Sequence, residues 1–159
     1  MNQRRLPPLE NALLWAMRAW TIGSVSHVDV AGRIVTLFSL LNAPEAAGYL
    51  GGFMGVLSYS ATRGLDINCT CNPDVSVDES LLLDVFALQQ EGFHADALTL
   101  LAGMIPGRAA STGCDSAMRL VQALRNAGHR LPRGADAVWR HCFQQPADGR
   151  VGSVSTLLH

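Results

Sequence analysis

The sequence predicts an all-α protein, a compact bundle of about seven helices with an irregular cysteine-containing loop between the third and the fourth. Three observations carry this reading. Apolar residues recur at three- and four-residue steps along most of the chain, no run of alternating strand residues competes with them, and Pro, Gly and capping residues punctuate it at helix-length intervals.

Pro7 and Pro8 open the first helix, whose apolar stripe is Leu9, Leu13, Ala16, Met17 and Trp20. Asp29 is placed to cap the second, with Val30, Ile34, Leu37, Phe38 and Leu41 facing inward. Asn42 closes that helix, and Pro44 with Glu45 suits the start of the third, "AAGYLGGFMG". The fourth begins at "SVDE", where Ser76 and Glu79 have capping-box spacing, and it stops at Gly92, a residue suited to a left-handed cap. "HADALTLLAGMI" gives a fifth helix that ends before Pro106 and folds back on the fourth. A sixth runs from about Thr112 to Gly128, and a seventh, "GADAVWRHCFQQ", stops before Pro146. Residues 1–145 therefore read as one helical domain and 146–159 as a C-terminal tail.

At 159 residues the chain can bury a real core without help from disulfides or metal. Charged residues make up only 16%, against 48% apolar, so part of the surface is expected to be covered by a second copy or another protein. The net charge is −1 and the twelve basic residues are scattered, which leaves no footprint for a phosphate backbone and argues against nucleic-acid binding. All twelve are Arg; the usage fits a GC-rich, bacterial coding sequence and removes Schiff-base lysine chemistry. Pro7, Pro8 and Glu10 interrupt any signal-peptide core, and "AAGYLGGFMGVLSYSAT" is too short and too rich in glycine to span a bilayer. A cytoplasmic protein with no membrane partner is expected, and in a reducing cytosol four cysteines imply no disulfide framework.

Gly48, Gly51, Gly52 and Gly55 form a row of small residues on the third helix. Each costs about 1 kcal/mol against alanine in a helix interior, so the row calls for a close approach. An intramolecular helix crossing, a subunit interface or a bound ligand would each supply one.

The stretch "ALQQEGFHADALTLLAGMIP" resembles one tetratricopeptide unit, with Gly92 at the turn glycine and Ala97 at the small residue of the second helix. The bulky residue and following glycine of that family's first helix are replaced by Leu81 and Val85, and no second copy appears at the right period. The resemblance implies a helical hairpin, not a repeat array.

"DINCTCNPD" sets Cys69 and Cys71 two residues apart, so in extended chain both thiols share one side and can address a common point. A disulfide between them would sit at the edge of the allowed separation and be readily reduced. A soft metal such as zinc would need two more ligands, for which Cys114, His141, Cys142 and His94 are the candidates. His141 and Cys142 are adjacent, which on a helix points them about 100° apart. The acids Asp66, Asp74, Asp78 and Glu79 lack EF-hand spacing and read as solvated loop acids and helix-cap residues. There is no GxSxG elbow, Walker loop, GxGxxG or HExxH. Two function classes follow: a non-enzymatic module acting through protein contacts or self-association, with no cofactor, and a thiol-dependent metal-binding or redox protein using the CxC loop.

Overall fold

Pro7 and Pro8 do start the first long helix, because proline at the first helical position lacks only an N–H that has no intrahelical partner there. The computed structural model describes residues 2–132. Within them α1 spans Pro8–Ser26, α2 Ala31–Leu40, α3 Ala46–Ser60, α4 Val77–Glu91, α5 His94–Ala102 and α6 Gly107–Asn126, preceded by a short 3-10 turn at Gln3–Arg5. Among the described residues the chain is helical, with no β-strand and one isolated bridge between Asn2 and Asp74. None of these helices is long and apolar enough to cross a membrane. The expected seventh helix, the boundary at residue 145 and the tail 146–159 lie outside the described residues.

Local chemistry sets most of the helix ends. Glu79 donates its backbone N–H to Ser76 Oγ at 3.1 Å, and Ser76 returns its own N–H to Glu79 Oε2 at 2.9 Å, the reciprocal bond pair of a capping box. Gly92, at φ 88°, takes the left-handed conformation that ends α4. Asn42, at φ 56°, closes α2 in the same way. Two boundaries differ from expectation. Val30 rather than Asp29 occupies the N-cap of α2, and no side chain caps it. α6 begins at Gly107, directly after Pro106, rather than near Thr112. The glycine, serine and threonine of its first turns are poor helix formers, but burial of Ala110, Gly113 and Cys114 against α3 and α5 overrides that weak preference.

One core cluster draws on every helix, from Leu13 and Met17 through Phe38, Leu50 and Phe53 to Phe86, Leu101 and Leu120. Phe53 and Phe86 pack as a tilted pair with centroids 4.8 Å apart, joining α3 to α4. α3 lies chiefly on α6, α4 and α5 form the hairpin turned at Gly92, and α1 and α2 close the other side. The segment between α3 and α4 runs alongside α1, meeting it at Arg18.

Candidate functional site

Residues 61–76 connect α3 to α4 without regular structure, and within this loop only two backbone bonds are made: Ile67 to Leu65, and Asn72 to Cys69 at 3.1 Å. Two acids in the first turn of α4 satisfy much of the rest. Asp78 accepts the backbone N–H of Asp66 at 2.8 Å and an N–H from each terminal guanidinium nitrogen of Arg63, Nη1 at 2.7 Å and Nη2 at 2.6 Å. The Arg63 bonds hold the Asp78 carboxyl below its usual range.

Glu79 does more than complete the capping box. Its carboxylate also accepts the backbone N–H of Asn68 at 2.9 Å, and it meets Arg18 side-on, from Nε at 2.7 Å and Nη2 at 2.8 Å. Arg18 and Glu79 are both fully buried, an arrangement that survives only when every donor and lone pair is engaged. Arg18 meets that condition. Nη1 donates to Asn72 O at 2.7 Å and Gln3 Oε1 at 3.1 Å, and Nη2 donates to Asp74 O at 2.6 Å, so all five guanidinium N–H groups are used. Burial raises the Glu79 pKa, but the bonds from Arg18, Ser76 and Asn68 outweigh it and leave the carboxyl below its ordinary value.

The result is a loop tied down on both sides of the cysteines by one ion pair: Asn68 to Glu79, Asn72 to Arg18. The N-terminal segment reinforces the second tie, since Gln3 donates its backbone N–H to Pro73 O at 2.7 Å. Between the ties Cys69 and Cys71 are exposed, with their sulfurs 2.7 Å apart. A formed S–S bond measures about 2.05 Å. The two thiols are unequal: the hydrogen bond from the Cys71 thiol, aided by backbone N–H groups, pulls the Cys69 pKa down, and the same contact pushes Cys71 up.

The remaining candidates are elsewhere. Cys114 is buried in α6, where desolvation raises its thiol pKa despite a bond with the Gln89 side chain. His94 opens α5 and turns its Nδ1 to Gln89 Oε1. His141 and Cys142 lie outside the described residues. Among the described residues no three His, Cys, Asp or Glu side chains gather to hold a metal, so the loop offers two sulfurs, half of a tetrahedral shell.

The glycine row of α3 divides. Gly51 faces Trp20 of α1 and Gly52 faces Ser116 of α6, which is the intramolecular crossing, whereas Gly48 and Gly55 have open space where a Cβ would stand. The tightest glycines are two the sequence did not single out: a Cβ on Gly23 would run into Val30 Cγ2 and the Val28 carbonyl. A Cβ on Gly113 would come within 2.9 Å of Leu101 Cδ2. Arg18 was likewise missed; its only signal was a charge four residues after Leu14 on the buried face of α1. Beside the loop, α1, the end of α3 and residues 61–67 enclose a groove of about 500 Å³ lined by Trp20, Met54, Leu57, Leu65 and Ile67.

The fold and site together define an all-α bundle that displays an anchored, exposed dithiol. Compared with protein-family models, with curated proteins and with solved structures, the chain gives no match.

Proposed function

We propose that the protein is a thiol–disulfide redox module whose working group is the Cys69–Cys71 pair. The observation that carries this is that two exposed thiols face each other on a loop pinned at both ends. An i,i+2 disulfide is strained, hence easily reduced, so in the reducing cytosol that the sequence points to the pair rests as a dithiol. The chemistry needs an external disulfide as oxidant. The Cys69 thiolate attacks one sulfur of that disulfide, forming a mixed bond while the first leaving thiolate takes up a proton. Cys71, giving up its proton, then attacks Cys69 Sγ and expels the second thiolate. The net change is one disulfide gained here and one reduced in the oxidant, with two electrons transferred. The lowered pKa of Cys69 suits it to the attacking role and leaves Cys71 to resolve. Two sulfurs alone support a redox pair better than a zinc centre, which needs four ligands.

Thiol titration in glutathione buffers tests the reading. Two thiols should disappear under oxidised glutathione and return with reductant, peptide mass spectrometry should assign the loss to Cys69 and Cys71, and Cys71→Ser should trap glutathione on Cys69. Persistence of both free thiols would refute it.

Self-association is the second reading, favoured by the almost fully exposed Tyr59 and the exposed Leu40, large apolar side chains left on the surface of α3 and α2. Sedimentation of the wild type tests it, and a monomer at all concentrations would end it.

A further inference from the structure

We infer that the buried Arg18–Glu79 ion pair is the positioning element that sets the reduction potential of the Cys69–Cys71 pair. The inference rests on the redox reading above and adds to it how the site is tuned.

Unaided, a CxC segment resists closure. In extended chain its α-carbons stand up to about 7 Å apart, beyond the separation most disulfides tolerate. Closure therefore requires the segment to give up its open conformations. Here that restriction is already in place. Asn68, just before the first cysteine, donates its N–H to Glu79 Oε1 at 2.9 Å, and Asn72, just after the second, offers its carbonyl to Arg18 Nη1 at 2.7 Å. The two anchoring groups are themselves joined by two hydrogen bonds and have no exposed surface, so the span between the ties is fixed by the core. A turn bond from Asn72 N to Cys69 O completes the compact form. Holding the thiols together raises their effective concentration towards each other, which favours the disulfide and lowers the reduction potential. Releasing the anchors returns conformational freedom chiefly to the dithiol, so the potential must rise.

Asp78 provides the control. It is also buried at the start of α4 and holds the same loop, but at Asp66 and through Arg63, outside the segment that carries the sulfurs. Loosening it should destabilise the protein without changing the geometry between Asn68 and Asn72.

The test is the equilibrium potential of the full chain in glutathione buffers, with the oxidised fraction read at Cys69 and Cys71 by peptide mass spectrometry. Glu79→Gln should weaken the disulfide tenfold or more, a rise of about 30 mV for a two-electron couple. Asp78→Asn should stay within a factor of two, about 9 mV, even where its melting temperature falls as far. A folded Glu79→Gln with a wild-type potential overturns the inference, as does an equal rise in both variants, which would mean general loosening. Should Glu79→Gln fail to fold, the wild type decides by reciprocity: if the anchors favour the disulfide, the disulfide must tighten the anchors. Hydrogen exchange at the Asn68 amide should then be several-fold slower in oxidised than in reduced protein, and equal rates refute the coupling. If no Cys69–Cys71 disulfide forms in any buffer, the redox reading itself falls; if it forms but ignores the anchors, that reading stands and only this inference is lost.

Discussion

Replacing Arg18 by methionine asks how much of the fold depends on one buried cation. Methionine keeps much of the length of the side chain and its apolar packing, so the loss isolates the guanidinium. Five hydrogen bonds disappear, but they do not count equally. Asp74 is exposed and Asn72 half-buried, so their carbonyls recover water and cost little. Gln3 is half-buried and can do the same. The expensive remnant is the Glu79 carboxylate, which stays buried without its counter-charge. Breaking a buried pair by removing one partner costs about 3–5 kcal/mol. Glu79 keeps the backbone N–H groups of Ser76 and Asn68, which places the expectation at the lower end, near 3 kcal/mol. Against a total stability of about 5–15 kcal/mol this is a large fraction, equivalent to a fall in Tm on the order of 10 °C. Urea unfolding at neutral pH, followed by far-UV circular dichroism, measures it. A loss under about 1 kcal/mol would show that water reaches Glu79 and that the pair is not the anchor described above.

Gly55→Ala should stabilise the protein by up to about 1 kcal/mol, since α3 gains helix propensity and the new methyl meets open space. Gly113→Leu should destabilise by about 1–3 kcal/mol through overpacking against Leu101, Val56 and Ile105, and thermal melts of the two variants side by side check both signs. Glu10 has its pKa raised to about 7, first by partial burial and then by the charge of Asp84. The folded chain therefore holds a proton there that the unfolded chain releases above about 4.5, so this group's contribution falls as pH rises from about 4.5 to about 7 and is flat beyond. Glu10→Gln should flatten that slope and stabilise the protein at pH 8 by about 1 kcal/mol once solvent screening is allowed for, a rise in Tm of roughly 2–4 °C; parallel pH–Tm curves would refute the assignment.

Sequence alone determined the features that depend on near neighbours. The capping box at Ser76 and Glu79, the left-handed stop at Gly92, the prolines at the start of α1 and the three-and-four spacing of the apolar residues each act within a turn or two, so their signals lie together in the chain. The α4–α5 hairpin and the all-helical class followed from them. The early start of α6 did not, because tertiary burial of Ala110 and Gly113 outweighed the propensity of its first residues. At the cysteine loop the two kinds of information meet in one residue. Glu79 was legible as a cap, a contact across three positions, but its bond to Arg18 spans 61 positions and has no local signature. A charged residue in an amphipathic helix reads as solvated unless the rest of the core closes over it. Only the tertiary packing of α4, the N-terminal turn and the 61–76 loop around α1 removed water from Arg18, and its five donors are taken up by Glu79, Gln3, Asn72 and Asp74. The sequence placed two thiols in one loop; the buried charge, which exists only in the folded chain, holds the backbone on either side of them, at Asn68 and Asn72.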